Sequence, residues 1–514
     1  MENPRLADAL AEMEASLGPE NVITDSARLE KEADNTIGLA RRLAAVVRPS
    51  TVDEVARLVA TANRHLIPLY PVSCGKNLGY GQKAPVMDGQ VLVDLKRMNK
   101  IRKFDDIHGS VTVEPGVTQQ QLFEFLKKNT DRFWMDATGA GVDSSVVGNS
   151  LEGGFGHTPK GNHRETARNL EIVLGNGTLL KTGIFPGLGP DMTGLFVQSN
   201  FGIITAMDVE LMPVPEKYVS FLVKVQRDED LELLIDAISR LRAQNILTSL
   251  VHIANAVRSF ISTRTCPPEY SDRQITCSSA QQMMSTPFMK VGYWSAIGGL
   301  YGTGAEVRAK KRELRRALRG FGGVMFFTDA KLRFLEKLAG SWLAGLLGIR
   351  ENISSSLRTF IPIHGMMKGI PSDEPLRNIH WRVDRDEDMG LIWYAPTIAA
   401  KGSEMRRVAK IAEELYAAHG FELPLTATLV RPDRVVGVFS ISFNRNDAEQ
   451  KERAYMLYDH LKERFHDEGI FPYRSGIRGM DKIKYHDEGK AETLKLLKNA
   501  LDPNGIIAPG RYAI

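Results

Sequence analysis

Three stretches of the chain gather glycines, small hydroxyls and amides that can wrap backbone around a polar ligand. The first is PVSCGKNLGYG (71–81), where Gly75, Gly79 and Gly81 surround Lys76-Asn77 after an apolar run. Backbone N–H groups in such a loop can converge on an anion, which makes Ser73, Cys74, Gly75, Lys76, Asn77, Leu78 and Gly79 candidate ligand positions. The spacing is neither G-x-G-x-x-G nor G-x-x-x-x-G-K-[ST], so the usual dinucleotide and nucleoside-triphosphate readings fail, and an ordinary Gly-rich turn stays open. The second stretch is SSVVGNSLEGGFGHTPKGNH (144–163). Ser145, Gly148, Asn149, Gly153, Gly156 and His157 there offer close backbone approach and hydrogen bonds along an extended polar ligand. Val146, Val147, Leu151 and Phe155 need burial, which argues against a bland surface loop. The third, LFVQSNFGIITAMDVELMPVP (195–215), runs from a small polar turn through Gly202 and Ile203 into an alternating strand. No C-x-x-C, H-E-x-x-H or carboxylate cluster suggests a metal.

The elements around these stretches read as two kinds of domain. Between 46 and 128, apolar strands (AAVVRPS, 65–73, 90–98, 110–118) alternate with helices, one opened by Thr51 with Glu54 as a capping box and one over 118–128. That alternation is α/β. NLEIVLGNGTLLKTG (169–183) is a hairpin turning at Asn176-Gly177. After MPVPE (212–216) the texture changes to long amphipathic helices (229–243, 304–320, 403–419) and alternating strands (219–226, 390–396, 436–443), a second α+β domain inserted into the first. The expected division is therefore 1–216, 217–468 and a return of the chain to the first domain over 469–514.

Composition narrows the function classes. The chain has 514 residues, 43% apolar and 25% charged, with a net charge of +4. Such a length suggests about two to four folding units, and so small a charge gives no bulk field for nucleic acid or anionic membrane. Three cysteines, Cys74, Cys266 and Cys277, make no disulfide framework and fit a reducing compartment. No apolar run of about 20 residues and no signal-like N-terminus is present, so a cytoplasmic, multidomain protein is expected.

Taken in order, VSCGKNLGYG, VTVEPGVT, GNSLEGGFGHTPKGNH, LEIVLGNGTLLKTG, SNFGIITAMDVELMPVP and the closing DPNGIIAPGR resemble the FAD-binding domain of the vanillyl-alcohol oxidase and p-cresol methylhydroxylase flavoproteins. The resemblance spans nearly the whole chain. It implies an α+β fold in which two FAD-binding subdomains hold the cofactor under an inserted cap, with Arg511 of the tail meeting flavin or a carboxylate. It also implies a dimer or larger homo-oligomer. The branch acting on 4-hydroxyphenyl compounds binds substrate as phenolate through two tyrosines and an arginine, matched here by Tyr80, Tyr473 and Arg474. An ionised ring oxygen lets hydride leave the para side-chain carbon, because the charge delocalises into a quinone methide; cationic and O–H donors lower the phenol's pKa.

The sequence departs from the family at two places. Where relatives tether FAD through a histidine pair, ungapped alignment on Phe443-Asn444 puts Val436 and Gly437; the alternative tyrosine tether is also missing, with only Trp381 near Val383, and the chain's first histidine is His65. Noncovalent FAD is expected. Where vanillyl-alcohol oxidases carry an aspartate, Ala140 aligns, with Asp143 displaced as a candidate carboxylate and His157 replacing a tyrosine. His364 and Lys368 resemble a cap segment facing the cavity, with solvated surface as the alternative. The resemblance thus implies an oxidoreductase for para-substituted, lignin-type phenols, reoxidised by dioxygen or a soluble acceptor. Its rivals are a lyase expelling formaldehyde from a phenolic dimer and a flavin-free binding protein.

Overall fold

In the computed structural model, residues 4–183, 188–270, 273–285, 290–341, 350–377, 379, 381–383 and 385–514 are described. Apolar runs too continuous for a half-exposed sheet build the first layer. Strands Leu43–Val47, Gln90–Asp94 and Leu69–Val72 lie side by side and parallel, with Val22–Ile23 antiparallel at one edge. Val46, Val47, Leu69, Val91, Leu92 and Val93 are fully buried, as a sheet covered on both faces requires. The crossover helix Val52–His65 starts where Thr51 accepts the N–H of Glu54. The expected capping box is incomplete, because the Glu54 carboxylate reaches one residue further back, to the N–H of Ser50 at 2.5 Å. Helix Gln119–Asn129 does carry the full box, between Thr118 and Gln121.

A second sheet is wholly antiparallel, in the order Ile101–Asp105, Ser110–Val113, Gly202–Glu210, Ala167–Leu174, Leu179–Lys181. The hairpin turns at Asn176-Gly177, where Gly177 takes φ 85°, the left-handed value that makes Asn-Gly a turn signal. Lys217–Val225 then opens a nine-stranded sheet that also contains Trp294–Gly302, Val251–Asn255, Leu425–Arg431, Arg434–Asn444 and Met389–Tyr394. Helices Leu231–Ala243, Gly402–Ala418 and Ala448–Asp467 pack with it, and Trp294, Tyr416, Phe439 and Phe465 are among its fully buried side chains. Phe471–Pro472, which the sequence reading put in the C-terminal return, pairs with Pro396–Thr397 as a strand of this sheet. The chain returns to the first layer later: Ala508 N–H donates to Leu69 O and Leu69 N–H to Ile506 O, both at 2.7 Å. Among the described residues no helix is long and apolar enough to cross a membrane.

Candidate active site

The three layers enclose a cavity of 390 Å³. Its walls are the loop after strand Leu69–Val72, the segment from Thr138 to His157, the turn Gln198–Gly202, the tail at Ile507, Ala508 and Arg511, and the large sheet at His252, Trp393, Thr426 and Thr428. Of the residues singled out in the sequence, Ser73 to Leu78, Tyr80, Ser145, Gly148, Asn149, His157, Gly202, Tyr473, Arg474 and Arg511 line it. The loop is pulled tight by Gly75 and Gly79, at φ 67° and 70°. Helix Val146–Leu151 approaches it so closely that a Cβ on Gly148 would stand 3.0 Å from Ser73 Oγ.

At one end of the cavity Arg474 lies flat on Tyr80, its guanidinium carbon 3.7 Å from the ring centroid, with the Tyr473 ring 5.7 Å away. Nη2 donates to Asn77 Oδ1 at 2.9 Å, while the buried Nε has no acceptor. The Tyr473 ring lies tilted against Phe155, centroids 5.5 Å apart, and the backbone N–H donates to Ala395 O at 2.9 Å, which locks the residue to the large sheet. Burial opposes the Arg474 charge, yet the neighbouring Tyr473 and Tyr80 oxygens leave its pKa raised. Burial raises that of Tyr473 despite Arg474, so this phenol stays protonated and can donate.

Next along the wall, His157 Nδ1 donates to Ala137 O at 2.9 Å, which fixes the tautomer and leaves Nε2 as the acceptor of the neutral ring. Its ring lies 4.6 Å from that of His252. Burial lowers the pKa of both; that of His252 falls further because His157 adds to the effect. Behind them Asp136 is buried and accepts from Thr158 N–H at 2.6 Å, His157 N–H at 3.2 Å and His163 Nε2 at 2.7 Å.

The tail is fastened by charge. Arg511 pairs with Glu152, and Tyr512 donates to the other Glu152 oxygen at 2.5 Å. Lys498 donates to Asn200 O at 2.7 Å and Ile507 O at 2.8 Å. Glu152→Ala frees Arg511 and Tyr512 together; we expect about tenfold weaker binding of the cavity's ligand, or about 1.4 kcal/mol, in a titration of ligand-stripped protein.

Other expected residues sit elsewhere. The Asp143 side chain is 69% exposed and lies 3.8 Å from Lys76, outside the cavity lining; the carboxylate that shapes the site is Asp136, behind the wall. Gly79, Gly153, Gly156 and Ile203 support the wall without lining it. A side chain on Gly156 would strike Asp136, and one on Gly79 would strike Trp393. His364 is neither cavity-facing nor solvated: it is 3% exposed, between Ser220 Oγ at 2.7 Å and Asp329 Oδ1 at 3.2 Å, and Lys368 joins Asp329 at 3.0 Å. Its serine is fully buried, so this order of groups ties elements together and reaches no ligand. The sequence reading missed Glu152 and Asp136, which lie in or beside its second motif. It also missed Gln198, Asn200, His252, Arg258 and Trp393, for which the sequence carried no local signal.

The cavity fits FAD. The N–H groups of Gly75, Lys76, Asn77 and Leu78 donate to no protein acceptor among the described residues, a run of donors suited to a pyrophosphate. A family described as FAD binding domain matches residues 43–183. The chain is 30% identical over 535 residues to a 1'-carboxy-chondrochloren decarboxylase of Chondromyces crocatus, covering 100% of this chain and 98% of that protein. It is 29% identical over 524 residues to the flavoprotein subunit of 4-cresol dehydrogenase [hydroxylating] of Pseudomonas putida, covering 98% and 95%. Its fold matches substrate-bound p-cresol methylhydroxylase with a TM-score of 0.90 at 28% identity, covering 100% and 98%. The 4-ethylphenol oxidase of Gulosibacter chungangensis follows with a TM-score of 0.89 at 25% identity and the same coverage. FAD is the cofactor, and the flavin-free alternative falls away. With a cavity floored by the glycine loop and full-length likeness in sequence and fold, the chain belongs to the p-cresol methylhydroxylase family of FAD-dependent oxidoreductases.

Proposed function

We propose that the enzyme oxidises para-substituted phenols at the side-chain carbon next to the ring, binding them as phenolates. The carrying observation is Arg474, a half-buried cation stacked on Tyr80 whose buried Nε has no partner and which no carboxylate pairs among the described residues. Such a cation is costly until an anion meets it. FAD, when bound, supplies the hydride acceptor. Arg474, with the Tyr80 and Tyr473 hydroxyls, holds the ring oxygen negative, so that the side-chain carbon gives up hydride and a quinone methide results. The loop Ser73–Leu78, Ser145–Asn149 and the tail hold the cofactor, and Trp393 and Phe155 exclude water. His157, neutral and with Nε2 free to accept, takes the proton released when water or the side chain completes the reaction.

Anaerobic mixing with 4-alkylphenols and their methyl ethers tests this reading: phenols should bleach the flavin, and ethers reacting as fast would refute it. The rate should fall on the acid side as His157 protonates, below the ordinary histidine range because burial lowers its pKa. His157→Gln should remove that acid limb from the kcat profile; an unchanged limb assigns the proton elsewhere.

We infer further that FAD is held without a covalent bond, since Val436 and Gly437 occupy the aligned histidine positions. Acid precipitation should leave a colourless pellet and all the flavin in solution, whereas a yellow pellet would contradict the inference. Reoxidation by dioxygen or a soluble acceptor, and a dimeric assembly, are carried over from the family. The displaced Asp143 keeps the formaldehyde-releasing outcome as the second reading, because the carboxylate expected in the cavity is not there. The Chondromyces crocatus relative is named for a decarboxylation, so product analysis should follow carbon dioxide beside formaldehyde and peroxide.

A further inference from the structure

Three arginines line the cavity, and two are accounted for. Arg474 faces the tyrosine pair, and Arg511 is paired with Glu152. The third, Arg258, is not. It lies in helix Ala256–Ile261, where its N–H is capped at 2.9 Å by the Asn255 side chain. Asn255 is itself buried and tied to Leu423 O at 2.8 Å and Leu425 N–H at 3.1 Å, so Arg258 projects from a rigid corner of the large sheet. Its guanidinium makes one bond, to Ser262 Oγ at 3.1 Å, and no Asp or Glu pairs with it among the described residues. Burial alone acts on its ionisation, pulling the pKa down, whereas neighbouring groups raise those of Arg474 and Arg511.

The surroundings favour an anion from outside. Ser262 also lines a second cavity, of 360 Å³, together with Arg264, Arg358, Arg377 and Glu374. Arg377 pairs with Glu374 at 2.7 Å; Arg264 and Arg358 pair with no acid among the described residues. Glu374 and Arg377 of the second cavity bracket Pro375 and Leu376, which line the first. Cationic side chains beside a cavity raise the local concentration of anions. Inside, Tyr473, Phe155, His157, His252 and Arg258 all line the same cavity, the two imidazole rings tilted 36° to each other.

We propose that Arg258 is a specificity residue that binds a carboxylate on the side chain of the substrate. The substrate class is then a para-hydroxyphenyl compound whose side chain ends in an acid, with the ring oxygen at Arg474 and the carboxylate at Arg258. This rests on the phenol reading above and adds the second anchor.

The test is equilibrium binding to FAD-loaded protein, followed by perturbation of the flavin spectrum under anaerobic conditions. The probes are 4-hydroxybenzoate, 4-hydroxyphenylacetate and 3-(4-hydroxyphenyl)propionate, each against its amide, with initial amplitudes used where the flavin is also reduced. At least one acid should bind tenfold or more tightly than its amide, and added salt should narrow the gap. Arg258→Met should bring the acid-to-amide ratio close to one, and Arg258→Lys should restore part of it. Equal binding of acids and amides by the unmodified protein overturns the proposal, and so does a preference that survives in Arg258→Met. Loss of FAD from Arg258→Met also overturns it, since the arginine would then serve the cofactor. Failure of neutral 4-ethylphenol to bleach the flavin instead tells against the phenol reading, which keeps the two failures apart.

Discussion

Arg474→Met is expected to slow flavin bleaching by a 4-alkylphenol about a thousandfold, the upper range for losing a preorganised donor to a developing or bound oxyanion. The reason is local. Arg474 stacks 3.7 Å above Tyr80 and donates to Asn77 Oδ1, so its position is fixed before substrate arrives. Without it, two neutral hydroxyls would have to hold an ionised ring oxygen in a buried site, and burial already raises the pKa of Tyr473 itself. Arg474→Lys should recover little, because a compact ammonium neither lies flat on a ring nor reaches Asn77 and ligand in one plane. FAD content should stay near that of the unmodified protein, since the loop amides and the tail hold the cofactor. Stopped-flow reduction beside the visible spectrum reads both, and a loss under tenfold would remove Arg474 from the role.

Asp136→Ala is expected to cost about 1–3 kcal/mol, the penalty for leaving buried donors without their acceptor. The carboxylate takes hydrogen bonds from His163 Nε2 and two backbone amides, and Gly156 has no side chain because Asp136 occupies that space. The loss should appear as a lower urea midpoint, and the His157 backbone, which Asp136 holds, should become mobile. The pH dependence follows from the sign. The His163 contact and the Thr158 hydrogen bond outweigh burial and keep the pKa of Asp136 below the usual value. Its contribution is therefore complete above the ordinary carboxylate range and fades as pH falls through the depressed folded value. Stability that is flat from neutral pH down through that range in the unmodified protein would contradict this account.

What the sequence revealed depended on whether the signal was local. The glycine loop and the Asn176-Gly177 hairpin each declare themselves within a few residues, because backbone conformation there demands particular residue types. Tyr80, Tyr473 and Arg474 could be named only by family likeness; Tyr80 lies 393 positions before Tyr473, and they meet because a strand of the large sheet delivers Tyr473 beside Ala395. Arg258 and His252 escaped notice for the same reason, since a half-buried arginine on a short helix looks like any other until its neighbours are known. Asp143 was chosen by alignment offset, and the fold turns it outward while Asp136, seven residues earlier, goes inward. His364 fitted neither expectation, because its partners Ser220 and Asp329 come from separate elements.

The most direct measurement of phenolate binding uses 4-cyanophenol, which has no side-chain hydrogen to give. It would be added at a pH about two units below its own pKa, where the free ligand is neutral. The ultraviolet difference spectrum should show the bound ligand as phenolate in the unmodified protein and as neutral phenol in Arg474→Met. A neutral bound phenol in the unmodified protein would contradict the claim that this cavity ionises its ligand.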